Sequence, residues 1–265
     1  MNKNSAILVL ILTLFAILPA VSFGQNGKTS KEAEAVLARS VAALGGEKYL
    51  NVTTAVGRGR FSIIRDGAVI SFQSFIDVIV FPDKERTEFK GGGIKTVQTN
   101  TGETGWIFDG DAETLKDQTP TQIESFRRGM RVSIDYLLRG YWRGQAELEY
   151  VGKRPATLGK RNDVVRVTYD DGLVVEFEFS ADDALPVKAI HRRTNADGEE
   201  ITEEDRYAQF VEVGGIRSPF IIDRFTAGKH SSRINFQSIE YNKRIPDSIF
   251  VKPSNPKDLK RDLKL

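Results

Sequence analysis

The sequence contains no cysteine. Disulfide staples and thiolate metal sites are therefore excluded, as is the lipidated cysteine at which a bacterial lipoprotein begins, so a hydrophobic core must hold the chain together. Histidine is nearly as scarce. His191 and His230 fall on separate expected strands, and neither has a carboxylate at metal-ligand spacing on its own element. They read as strand or surface residues rather than ligands or general bases. An excess of one charge is also missing: Lys plus Arg number 38 against 36 Asp plus Glu, which argues against a nucleic-acid or strongly acidic partner.

Other absences narrow the chemistry further. Ser231 and Ser232 beside His230 do not make a triad, because nucleophile and base must meet across a fold with a third orienting group. The acidic run Glu199, Glu200, Glu203, Glu204 and Asp205 lacks the alternating oxygens and central glycine of a calcium loop, and reads as a solvated hairpin end. Gly91-Gly92-Gly93 precedes no helix, so no helix N-terminus follows to receive a phosphate. No catalytic residue, metal or cofactor is expected, and the chain reads as a non-enzyme.

The one long apolar run is at the start. Lys3 is followed by apolar residues from Ala6 to Ala20, then Pro19 and the small residues Ser22 and Gly24 before Gln25. This is the order of a signal peptide over 1–24, and the run is shorter than the roughly 20 residues that span a bilayer. Export without cysteine favours a Gram-negative periplasm. Residues 25–253 read as a single domain and 254–265 as a polar tail.

A capping box at Thr29 and Glu32 opens a first helix with Val36, Leu37, Val41 and Leu44 at helical spacing, ended by Gly45-Gly46. From Val56 the period becomes two. Asp66-Gly67 turns the chain into a long strand, Val69 to Phe81, with Ile70, Phe72, Ile76, Val78 and Val80 on its more apolar face. Shorter strands are expected at Lys84 to Lys90, Ile94 to Thr101 and Thr104 to Asp109. Thr119-Pro120-Thr121-Gln122 then starts a second helix, Thr121 to Tyr141, with the stripe Ile123, Phe126, Met130, Ile134, Leu137, Leu138 and Tyr141. Arg127, Arg128 and Arg131 lie on its other face. After Gly144 alternation resumes, cleanest at Leu173 to Ser180, and runs through Ser231 to Tyr241. The count is eleven or twelve antiparallel strands and two helices. A sheet of that size curls about its apolar face, with the helices as filling.

The segments Gly102-Glu103-Thr104-Gly105-Trp106-Ile107-Phe108-Asp109-Gly110, Phe179-Ser180-Ala181-Asp182-Asp183-Ala184-Leu185-Pro186-Val187, Gly215-Ile216-Arg217-Ser218-Pro219 and Asn242-Lys243-Arg244-Ile245-Pro246-Asp247-Ser248-Ile249-Phe250, with the interrupting helix in order between them, resemble the LolA/LolB-type outer-membrane lipoprotein-sorting superfamily. The resemblance covers nearly the whole mature chain. It implies a mainly β fold with helices (α+β): a curled antiparallel sheet forming an unclosed β-barrel with a helical lid. The implied function is a periplasmic, non-catalytic carrier for lipids or acylated cargo. On this reading Phe72, Val78, Trp106, Phe126, Met130, Ile134, Val175, Phe177 and Phe236 line an apolar cavity. Arg127, Arg128 and Arg131 form a basic rim for transient contact with a membrane surface. The alternative is a protein-interaction or envelope-stress sensor module, its interior filled by side chains, with an envelope protein as partner.

Overall fold

The computed structural model describes residues 29–194, 197–263 and 265. The expected leader, 1–24, lies outside them. Helix α1 (Lys31–Leu44) opens on Ser30, whose hydroxyl accepts from the Ala33 N–H. The expected cap at Thr29 is displaced by one residue because Thr29 is bridged to Leu148 and Ser30 N donates to Leu148 O, which keeps the chain extended that far. Gly45, at a φ of +127° that disfavours a side chain, ends α1 by returning its N–H to Val41 and Ala42. The short α2 (Glu47–Leu50) follows.

Two meanders make the sheet. The first comprises β1 (Thr54–Arg65), β2 (Ala68–Val80), β3 (Lys84–Gly91), β4 (Ile94–Thr101), β5 (Gly105–Asp109) and β6 (Thr114–Asp117). The second comprises β7 (Ala146–Pro155), β8 (Arg161–Tyr169), β9 (Val174–Ser180), β10 (Pro186–Thr194), β11 (Glu200–Val213), β12 (Ile216–Thr226) and β13 (Lys229–Tyr241). Because β13 pairs with β1, all thirteen strands form one antiparallel sheet, ordered β6 to β1 and then β13 to β7, with β6 and β7 as its two edges. The barrel is thus unclosed. The sheet exceeds the expected count partly through β6, whose four residues carry too little alternation to be seen in sequence.

Between the meanders the expected single helix is two: α3 (Pro120–Arg131) and α4 (Ile134–Leu138). The Thr119–Gln122 capping box forms in both directions. The break is at Ser133, whose hydroxyl donates to Met130 O and accepts from Tyr136 N, so it closes one helix and caps the next.

Residues paired across an antiparallel ladder share a face. The register runs from Phe177 through Ala189, Asp205, Arg224 and Ser232 to Ile63, and this fixes one inner face across the sheet. Over β7 to β10 that face is a packed core. Val36, Leu37 and Leu44 of α1, Tyr49 of α2, Leu137 and Leu138 of α4, and Trp142 lie against Val165, Val167, Val175, Phe177 and Phe179. Arg139 ties the helices together: its guanidinium stacks on Tyr49 and Phe81 at 4.5 and 4.1 Å and donates to Val52 O.

The outer face of the first meander is covered by the chain's own C-terminal segment. Ile249 and Phe250 pack on Val56 and Val78, and Leu259 packs on Val97, Trp106 and Phe108. Arg86 donates to Ile249 O at 2.5 Å and the Trp106 indole to Phe250 O at 2.9 Å. The polar reading of 254–265 therefore misses its function as a strap. Pro256–Lys260 forms a single 3-10 turn that points Leu259 inward, and Lys260 pairs outward with Glu113.

Candidate functional site

Over the central strands the inner face is lined by side chains that are packed against one another and still accessible. Phe61, Phe89, Phe75, Phe236 and Phe220 form a chain of ring contacts with centroids 5.7, 6.5, 5.4 and 6.4 Å apart, mostly edge to face. Phe75 is buried and the other four are half-buried. Two glycines of β1 make room for this wall. A Cβ on Gly57 would lie 2.6 Å from Phe236 Cε1, and one on Gly59 would lie 2.2 Å from Asn235 O. Any larger residue would push the ring out of the wall.

Charged groups share the same face. Asp77 on β2 accepts from the Thr87 hydroxyl at 2.8 Å, and Glu85 stands beside it on β3. Burial raises both carboxyls, and the neighbouring Asp77 adds to the rise of Glu85, which reaches about 8. Each nevertheless keeps part of its surface accessible, as residues on the wall of a recess do. Burial also raises Asp205 and the Tyr207 phenol, and lowers His191 to about 4 with help from Arg128. Among the described residues no group of three or more His, Cys, Asp or Glu side chains could hold a metal ion.

Helix α3 bridges the two meanders. Arg127 Nε donates to Gly102 O in the β4–β5 turn at 3.0 Å. From the other side, Arg131 Nη1 bonds Asp171 in the β8–β9 turn at 2.7 Å, and Arg128 donates to Arg192 O at the end of β10. None of its residues is buried. Beneath it lies an open cleft of about 590 Å³, lined by Phe126, Met130, Tyr136 and Tyr141 together with Pro82, Asp83, Gly102 and Glu103 at the strand ends.

The structure does not bring the nine expected apolar residues into one cavity. Phe72, Val78 and Trp106 lie on the outer face: Val78 is opposite Arg86, Arg86 opposite Thr99, and Thr99 opposite Trp106. Val78 and Trp106 are covered by the C-terminal strap, whereas Phe72 is 58% exposed beneath Arg60. The more apolar side of β2 is the outer one, where the strap covers Ile76, Val78 and Val80 and leaves Ile70 and Phe72 exposed, and apolarity alone could not distinguish a strap from a cavity. Val175, Phe177 and Ile134 belong to the packed core. Phe126 and Met130 line the cleft, and Phe236 is in the phenylalanine wall. Arg127, Arg128 and Arg131, expected as a free basic rim, are the tethers of α3. Sequence reasoning missed Phe61, Phe75, Phe89 and Phe220, although Gly57 and Gly59 in an otherwise regular strand were a signal that something approaches there.

No protein-family model matches the sequence, and no curated protein matches it. Solved structures do match the fold. A DUF1329 family protein from Desulfovibrio piger superimposes with a TM-score of 0.59 at 13% identity, over 84% of this chain and 98% of its own. A putative outer membrane lipoprotein-sorting protein domain from Vibrio parahaemolyticus gives 0.56 at 11%, over 86% and 100%. A LolA superfamily protein from Nitrosomonas europaea gives 0.56 at 14%, over 83% and 97%. The fold is LolA-like. Within this LolA-like fold the phenylalanine wall lies on the inner face of the central strands, and the cleft lies between α3 and the β2–β3 and β4–β5 turns.

Proposed function

We propose that this protein is a periplasmic carrier that shelters the acyl chains of a lipid or acylated protein in the recess, with α3 as its lid. The observation that carries the reading is the phenylalanine wall: five aromatic side chains turned to an inner face, four of them only half-buried. Accessible aromatic surface inside a hollow costs free energy at about 25 cal/mol per Å² until something apolar covers it. The cleft supplies an entrance, and a helix with no buried residue is a cover that can lift without breaking the sheet. The LolA-like fold supports the lipid class, and the apolar leader supports export.

Purification from the periplasmic fraction without detergent, followed by organic extraction and mass spectrometry, tests the proposal. About one lipid per folded chain is the expected result, reduced by Phe75→Asp or Phe236→Asp. A lipid-free extract, with no uptake of added phospholipid, would instead favour the sensor-type module with a filled interior.

A further inference from the structure

Beyond the phenylalanine wall, the inner face carries a row of hydrogen-bond acceptors. The register places Glu85 opposite Asn100, and Asn100 opposite Gly105. Gln118 fills the space above that glycine, where a Cβ would lie 2.8 Å from Gln118 Cδ. Asp77, Glu85, Asn100 and Gln118 therefore follow one another from β2 to the segment beyond β6. Asn100 is 2% exposed and Gln118 6% exposed, and the side-chain oxygens Asn100 Oδ1 and Gln118 Oε1 have no hydrogen-bond partner. Buried acceptors left open are rare and costly, so two in a row call for a donor. The row ends near the cleft under α3: Asp83 and Gly102, two residues before Glu85 and two after Asn100, line that cleft.

We infer that this row is a headgroup subsite, and that the ligand it takes is an apolar molecule bearing a primary ammonium, its N–H groups directed to the Asp77–Glu85 pair and to Asn100 beside it. An ammonium has three donors and no acceptor, the complement of a site that offers oxygens. The Asp77 and Glu85 carboxyls bond each other as well as the Thr87 hydroxyl and so share a proton, and among the described residues neither is ion-paired with a cationic side chain; an arriving ammonium would displace that proton and pair with the charge left behind. The raised pKa values of Asp77 and Glu85 are those of buried carboxyls with no adjacent cation, and a bound ammonium would lower them. Phe75 and Phe89 flank the row on the same strands and meet the first methylenes of the chain.

This inference rests on the carrier reading, and one experiment separates the two. The full mature chain is offered vesicles of dioleoyl phosphatidylethanolamine, phosphatidylcholine or phosphatidylglycerol, and retained lipid is measured after gel filtration. Phosphatidylethanolamine should be retained about tenfold more tightly than either of the others, as one charge-assisted hydrogen-bond set allows. Glu85→Gln should remove most of that preference while leaving phosphatidylglycerol retention unchanged. The wild-type comparison needs no variant to fold. Equal retention of all three lipids would overturn the subsite and leave the carrier intact, and phosphatidylcholine matching phosphatidylethanolamine would overturn the requirement for N–H donors. Retention of none would overturn both.

Discussion

At the scale of single residues, Glu85 carries the clearest consequence. Its carboxyl faces Asp77 of β2, Thr87 of its own strand, Asn100 of β4 and the more distant Arg224 of β12, and burial raises it from 4.5 to about 8. An acid whose folded pKa exceeds its unfolded value holds its proton more tightly when folded. The stability tied to it is therefore complete below about pH 4.5 and is lost as the pH climbs through about 8. Asp77, raised in the same direction, adds to this loss. Denaturant midpoints of the lipid-free protein should fall between pH 5 and pH 9, and the fall should be shallower in Glu85→Gln. His191, lowered from 6.5 to about 4, works the other way: its unfolded form binds a proton that the folded form does not, so its contribution rises with pH up to about 6.5 and is flat above, and the fall due to Glu85 is read most cleanly between about pH 7 and pH 9. A variant as steep as the wild type would show that the carboxyl is solvated after all.

At the scale of elements, the two covers of the sheet differ in what holds them. Helix α3 spans its gap on arginine tethers and a cap, and its apolar residues Ile123, Phe126 and Met130 are only half-buried. The C-terminal strap buries Ile249, Phe250 and Leu259 and satisfies the buried donors Arg86 and Trp106. Leu259→Ala should therefore cost about 2 to 4 kcal/mol in urea unfolding, as emptied core sites do. Met130→Ala should cost under about 1 kcal/mol, since little burial is lost. Amides of residues 121–131 should exchange much faster than those of β8. Equal costs would mean that α3 is part of the core and cannot serve as a lid. The sequence had marked this helix well, through Thr119, Pro120 and Gln122, but read it as continuous to Tyr141. The break depends on Ser133 choosing the Met130 carbonyl and the Tyr136 amide over solvent, which the folded neighbourhood decides.

At the scale of the whole molecule, one continuous sheet divides its inner face between a packed half and an accessible half. Helices α1 and α4 fill the side of β7 to β10, and the phenylalanine wall, four of its five rings half-buried, lies on the side of β1, β2 and β13. A ligand that binds only the folded state raises stability with its concentration, by about 2.7 kcal/mol at a hundredfold excess over its dissociation constant. Added phosphatidylethanolamine should accordingly raise the melting temperature of the wild-type protein, and should raise that of Phe236→Asp much less. An unchanged melting temperature at saturating lipid would contradict a carrier.

Local patterning in the sequence was enough for the strands and their turns. Alternation marked the face of β9 that carries Val175, Phe177 and Phe179, and Asp66-Gly67, Gly91-Gly92-Gly93 and Gly214-Gly215 marked turns between strands. These are short-range effects, set by the pleat and by backbone conformations that glycine tolerates. Only the tertiary structure decided which side of each strand faces inward. Period two gives both faces of β2 equally, and Ile70 to Val80 on one and Phe75, Asp77 and Ile79 on the other could each have lined the hollow. The choice was made by partners far away in the chain: Phe250 and Leu259 cover part of one side, while Phe236 packs on Phe75 on the other. Burial is a property of what packs against a surface, so the interior of this protein could be read only after its C-terminal segment had been placed.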